Sequence, residues 1–156
     1  MTDRVVAHQG AACWATLFTH AHYLPCLAVL LQSMRACQTR YPLVVMVTET
    51  VDARTRERLT RIGCVLRDVD AWRVPHADGS LAFERFQNVW TKLRAFELYE
   101  YERVVMIDSD MLMCHNMDEL FDRPLERGMI AAALACTCNP KQIPTYPAES
   151  TPRNCR

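Results

Sequence analysis

Charge of one sign, long apolar runs and lysine are what this chain lacks. Its 156 residues carry eighteen basic and eighteen acidic side chains, so no electrostatic case arises for nucleic acid or an anionic membrane as the main partner. No unbroken apolar run, Leu24 to Leu31 with Pro25 counted among them, is long enough to span a bilayer. The N-terminus, MTDRVVAHQG, has no apolar segment of the secretory kind. A soluble, cytoplasmic protein without a membrane span is therefore the expectation. No C-x-x-C pair occurs among eight cysteines, and only Cys136 and Cys138 lie close together. Reduced thiols serving as small buried hydrophobes are expected rather than a disulfide framework. A zinc site on Cys136, Cys138 and Cys155 is poorly supported by the spacing. There is no internal repeat or low-complexity tract.

Half of the residues are hydrophobic, enough for one domain with a sizeable core. Residues 1–12 read as a tail and 139–156 as an irregular proline-rich tail around a single 1–156 domain. CWATLFT, Cys13 to Thr19, reads as a strand. Leu24 to Cys37 reads as a helix, with Pro25 in its first turn. YPLVVMVT, Tyr41 to Thr48, is a second strand, continuously apolar as when both sheet faces are covered. Asp52 caps a polar helix to Ile62, and Gly63 closes it. Cys64 to Val69 is a third strand. A loop of about Asp70 to Gln87 holds Pro75, His76 and Asp78-Gly79-Ser80. Asn88 to Glu100 is a helix with Val89, Leu93 and Phe96 on one side. Val104 to Ile107 is a strand, Met117 to Phe121 a helical turn, and Met129 to Ala135 a further strand. Alternating strands and helices with apolar strands predict an α/β, Rossmann-like fold, a mostly parallel sheet with helices on both faces.

One stretch asks for more than structure. RVVMIDSDML, Arg103 to Leu112, runs four apolar residues into Asp108, Ser109 and Asp110. In an open α/β sheet ligands bind beyond the carboxyl ends of strands, where strand order reverses. Residues i and i+2 of an extended segment point the same way, so both carboxylates can converge on one cation. Two hard oxygen ligands suit Mn²⁺ or Mg²⁺, with phosphate oxygens and water completing the shell. Asp and Ser are also common turn residues and caps, and an isolated D-x-D carries no function by itself.

The surrounding segment, NVWTKLRAFELYEYERVVMIDSDMLMCHNMDELF from Asn88 to Phe121, resembles glycosyltransferase family 8, the glycogenin and galactinol synthase type. The shared features are a T-K-L helix start, an aromatic-rich helix, an apolar strand into D-x-D, and N-x-D-E-L-F. TLFTHAHYLPCLAVLLQSM, Thr16 to Met34, resembles the first strand, nucleotide-contacting loop and first helix of that family. ACTCNPKQIPTYP resembles a stretch of its galactinol-synthase-like and fungal members. The likeness runs from about Cys13 to Cys155 and implies a nucleotide-diphospho-sugar transferase fold of the GT-A type.

The resemblance implies a donor, usually a UDP-sugar carrying galactose or glucose, and retaining transfer to a hydroxyl acceptor with Mn²⁺ (or Mg²⁺). The acceptor is left open: inositol-like, a glycan, or a protein tyrosine. Asp108 and Asp110 match the metal ligands, Asp108 also approaching the ribose. Lys92 matches the lysine of T-K-L, a cation for a donor phosphate; with sixteen arginines and two lysines in the chain, a lysine there hints at a need for a compact point charge. Lys92 and Asp110 are the expected catalytic residues. Leu17, Thr19 and Tyr23 match the uridine pocket, and Ser109 a small residue whose backbone approaches the ribose. Arg85 is a further candidate for the donor. His20 and His22 occupy variable positions and are left out of the metal site. Family members continue past the point matching Arg156 to a metal-binding histidine in an H-x-x-G-x-x-K-P-W-like stretch, so a chain incomplete at its C-terminus is expected. A non-catalytic UDP-sugar-binding or interaction protein is the alternative. A phosphatase of the haloacid dehalogenase type is disfavoured, because there the D-x-D follows the first strand. Oligomeric state is not legible.

Overall fold

A computed structural model describes residues 12–72, 81–126, 128–133, 138–144, 148 and 150–154, with the backbone alone described for 81–88. The expected tail over residues 1–11, the segment Pro75 to Ser80, and Cys136 and Cys155 of the zinc reading lie outside the described residues. So does the side chain of Arg85.

Four strands form one sheet: β1 (Ala12–Phe18), β2 (Leu43–Val47), β3 (Val65–Asp68) and β4 (Arg103–Met106). All three pairings are parallel and the order is β3-β2-β1-β4. The α/β, Rossmann-like fold with a parallel sheet is therefore present. Parallel strands need crossovers, and helices supply them: α1 (Leu24–Ala36) joins β1 to β2, and α2 (Ala53–Arg61) joins β2 to β3. A helix of 3-10 type, Leu81–Glu97, precedes β4. The chain divides into two compact units, Met1–Arg123 and Pro124–Arg156; all four strands belong to the first.

Alternation along β1 sorts the two faces. Trp14 and Phe18 join Leu27, Leu30 and Met34 of α1, Leu59 of α2 and Val45 and Val47 of β2 in one core. Cys13 and Ala15 join Val44, Met46 and Leu98 in the other, with Leu17, Ala95 and Tyr101 packed against it. Both faces are thus covered, which is why β2 is buried at every residue. Burial pushes the Cys13 thiol up to about 12, with Glu100 adding to the effect, and the Cys64 thiol up to about 11. Both therefore behave as small hydrophobes. Cys26 does not: it lies on the exposed side of α1, a correction to the buried reading.

The boundaries of α2 follow local chemistry. The Asp52 carboxylate accepts hydrogen bonds from Thr55 N at 2.9 Å and Thr55 Oγ1 at 2.8 Å, satisfying an orphan amide of the first turn. Gly63 closes the helix at φ +99°, a conformation glycine adopts without steric penalty.

The loop expected over Asp70 to Gln87 gives way at Leu81 to the helix expected to begin at Asn88, and two further expectations fail. Val89, Leu93 and Phe96 do not form the buried face of their helix; they are 45%, 38% and 62% exposed. Thr91 and Leu98 are buried instead, with Ala95 packed on the second core. The residues 129–133 of the expected strand Met129–Ala135 form no strand, and 134–135 lie outside the described residues. An apolar run becomes a strand only where a neighbour takes its backbone hydrogen bonds, and Met129 and Ile130 are exposed here.

Candidate nucleotide-sugar site

The strand order places the reversal between β1 and β4: the chain leaves β1 for β2 on one side and returns as β4 on the other. The carboxyl ends of those two strands flank the crevice where ligands of such sheets bind. Thr19 follows β1 directly. Beyond β4, Ile107 N still donates to Ala15 O at 2.9 Å, and Asp108 is the first residue past that rung.

Asp108 is not left alone there. Lys92 Nζ donates to Asp108 Oδ1, bringing the lysine of T-K-L and the first aspartate of D-x-D into contact across sixteen residues. The two side chains are 35% and 42% exposed, so a ligand can reach both. One ammonium proton is engaged by Asp108, leaving two for other acceptors. Asp108 Oδ2 and the whole Asp110 carboxylate accept nothing from the described residues, and Asp110 is exposed.

The strand alternation expected to aim the two aspartates the same way does not extend to them. Met111 N donates to Asp108 O at 3.2 Å, so Asp108 to Met111 is a β-turn rather than extended chain. Strand alternation ends at Ile107 and does not govern where Asp110 points. Ser109 sits inside this turn and is half-buried.

The β1 side of the crevice carries the other candidates. Leu17 is half-buried and packs on the core face shared with Leu98 and Val44. Thr19 Oγ1 lies 2.8 Å from His20 Nδ1. Ala21–Tyr23 forms a single 3-10 turn closed by Tyr23 N donating to His20 O at 3.1 Å. The Tyr23 ring lies 4.1 Å from that of His22, which lies 5.4 Å from His20. Tyr23 is 38% exposed, so its ring remains available for stacking. Thr19, Tyr23, Lys92, Asp108, Ser109 and Asp110 all follow the carboxyl edges of β1 and β4 or flank them; the direct contact among them is Lys92 to Asp108.

Two carboxylates with free oxygens beside exposed surface fit a hard divalent cation such as Mn²⁺ or Mg²⁺, which takes oxygen ligands and keeps several waters. Among the described residues no group of three or more His, Cys, Asp or Glu side chains converges. No described helix is long and apolar enough to cross a membrane.

Sequence reasoning missed the support of this edge. Thr48 and Thr50, in the loop after β2, link to Thr19 by hydrogen bonds, and Arg56 of α2 holds that loop. The signal available was slight: two threonines ending a buried strand and one arginine among four in a polar helix.

No family model matches the chain. Curated relatives do. It is 30% identical to galactinol synthase 5 of Arabidopsis thaliana over 138 residues, which is 87% of this chain and 41% of that protein. Galactinol synthase 2 of Ajuga reptans is 34% identical over 109 residues, 70% of this chain and 37% of the relative. Galactinol synthase 10 of Arabidopsis thaliana is 28% identical over 86% of this chain and 40% of its own length. The chain thus spans about two fifths of the length of these relatives. Over most of its own length the chain is thus a homologue of the galactinol synthases, in keeping with the resemblance to glycosyltransferase family 8.

Proposed function

We propose that this chain binds a UDP-sugar with a divalent cation and serves a retaining transfer of the hexose to a hydroxyl acceptor. The observation that carries the proposal is the Lys92–Asp108 contact at the reversal point of the sheet. It joins two motifs, T-K-L and D-x-D, that lie sixteen residues apart in the chain.

Asp108 and Asp110 would hold Mn²⁺ or Mg²⁺ through their free oxygens. Such a cation, when bound, acts as a Lewis acid that neutralises charge on the departing diphosphate. Lys92 offers its remaining ammonium protons to a phosphate oxygen, stabilising the leaving group electrostatically. Asp108 orients that ammonium before the donor arrives, so its position costs little on binding. Tyr23 offers a ring face to the uracil and Thr19 a hydroxyl to the base or ribose, with Leu17 behind them. Ser109, small and within the turn, allows the ribose close to the backbone. The name of the relatives, galactinol synthase, favours galactose as the hexose and an inositol-like acceptor over a glycan or a protein tyrosine.

The test is a thermal titration with UDP, with and without Mn²⁺. The expected result is a rise in melting temperature with UDP that Mn²⁺ enlarges, and loss of the Mn²⁺ increment in Asp110→Asn. No rise with either ligand at millimolar levels overturns donor binding. Stabilisation by UDP without transfer or hydrolysis of a UDP-hexose would leave the chain a UDP-sugar-binding protein.

A further inference from the structure

The loop after β2 touches the loop after β1 through a hydrogen-bonded line with a definite direction. Thr50 Oγ1 donates to the backbone carbonyl of Thr19 at 2.8 Å. It also lies 2.8 Å from Thr48 Oγ1. A hydroxyl has one proton; that of Thr50 is committed to Thr19, so Thr48 must donate to Thr50. Thr48 is buried at 2% exposure, which fixes the start of the line.

Arg56 holds the loop that carries both threonines. Its Nη2 donates to Thr48 O and its Nε to Val51 O, each at 2.8 Å. Val51 N in turn donates to Thr48 O at 3.1 Å, closing the turn that Arg56 braces. The third donor, Nη1, bonds Asp68 at the end of β3. One guanidinium therefore ties α2, the β2 loop and the β3 end together, a use of the rigid fork that lysine cannot reproduce. Thr50 and Asp68, at the outer ends of this brace, are exposed, whereas Val51 within the turn belongs to the first core.

We propose that Arg56, Thr48 and Thr50 are positioning residues for the nucleoside half of the site. They fix the Thr19 carbonyl, and with it the short turn that presents Thr19 and Tyr23. The inference rests on the donor reading above and assigns it an internal division. The base-side loop is set by the β2 loop and Arg56, whereas the phosphate side is set by Lys92, Asp108 and the β4 turn. Damage to the line weakens recognition of the nucleoside and leaves that of the diphosphate intact.

Thr50→Val removes the hydroxyl at nearly constant shape, and Thr50→Ser restores it. Calorimetry with Mn²⁺ compares UDP with inorganic pyrophosphate, a probe that lacks the nucleoside. Losing one hydrogen bond of ordinary strength is expected to weaken UDP by about three- to tenfold in Thr50→Val, with pyrophosphate changed by less than about twofold. Thr50→Ser should return UDP to the wild-type value, and Arg56→Lys should reproduce the selective loss. Equal weakening of both probes, or unchanged UDP affinity in a folded Thr50→Val, overturns the proposal. Hydrogen exchange gives a second readout without any ligand. The Tyr23 amide, bonded to His20 O, should exchange faster in Thr50→Val, while that of Met111 in the β4 turn should not. If wild type binds neither probe, the donor reading falls. In that event unchanged exchange at Tyr23 removes the positioning role as well, and faster exchange retains it.

Discussion

Two aspartates stand at opposite ends of the same sheet, and they are held in opposite ways. Asp118, in the N-x-D-E-L-F stretch, is buried at 4% exposure. It accepts from Thr39 Oγ1, from Arg40 N at 2.9 Å, from Arg40 Nε at 3.4 Å and from Asn116 Nδ2 at 3.5 Å. Thr39 also takes the indole N–H of Trp14 at 2.9 Å, so the network reaches the first core. Asp108, at the carboxyl edge, is 42% exposed and has one partner, Lys92. The first carboxylate has no capacity left for a ligand. The second has a free oxygen, and a cation beside it. A motif match treats both aspartates as family features; the count of their donors separates a saturated carboxylate from one with room for a ligand.

The largest expected effect comes from exchanging each for asparagine. Asp118→Asn leaves one oxygen acceptor where there were two, so its N–H₂ faces either Arg40 or Thr39, and removes the charge that strengthens the remaining bonds. A loss of about 2–3 kcal/mol in denaturant unfolding is expected, as for a buried charge-assisted network left partly unsatisfied. UDP affinity of the folded protein should stay within about twofold, because the network lies at the other end of the strands. Asp108→Asn should cost under about 1 kcal/mol of stability, the scale of an exposed ion pair, and should weaken the Mn²⁺-dependent part of UDP binding. If Asp118→Asn spared stability while destroying binding, the division between the two ends would be wrong.

The pH dependence sharpens the same contrast. Burial alone would raise the Asp118 carboxyl, but hydrogen bonds from Thr39, Arg40 and Asn116 outweigh it and hold the group below its ordinary value near 3.8. A carboxyl depressed in the folded state binds protons more weakly there than in the unfolded chain. Its contribution is therefore complete above the ordinary value and is lost as pH falls from 3.8 through the folded one. Urea midpoints measured from pH 5 downward should fall more steeply in wild type than in Asp118→Asn. Parallel curves would show that Asp118 is not the group being protonated.

Why the sequence announced one of these ends and not the other follows from distance along the chain. The sheet was legible because strands are local: YPLVVMVT is apolar throughout, and β2 is buried on both faces. Asp52 and Gly63 were legible because caps act within four residues. The Asp118 network was not, since Thr39 and Arg40 lie 79 and 78 residues upstream. The same holds for Thr50 and Thr19, separated by 31 residues. Val89, Leu93 and Phe96 misled for another reason: an apolar stripe shows that a face seeks cover, not which face the sheet takes. The D-x-D was found by its place after an apolar strand. Its turn geometry was one of two readings left open, since Asp and Ser suit a turn as well as a strand end.

The smallest expected effect concerns a polar group belonging to neither end. Thr16 lies mid-strand in β1, fully buried, and its hydroxyl finds no protein partner among the described residues. A hydroxyl kept from water without a hydrogen bond costs free energy that valine, of nearly the same shape, does not incur. Thr16→Val should therefore raise stability by about 1 kcal/mol, seen as a higher urea midpoint at unchanged slope. UDP binding should not change, since Thr16 shares the Trp14 and Phe18 side of the sheet rather than the Leu17 side. A lower midpoint would mean that the hydroxyl is hydrogen-bonded in solution. The indole of Trp14, bonded to Thr39, and the hydroxyl of Thr16 would then both be satisfied, leaving β1 with no orphaned polar side chain.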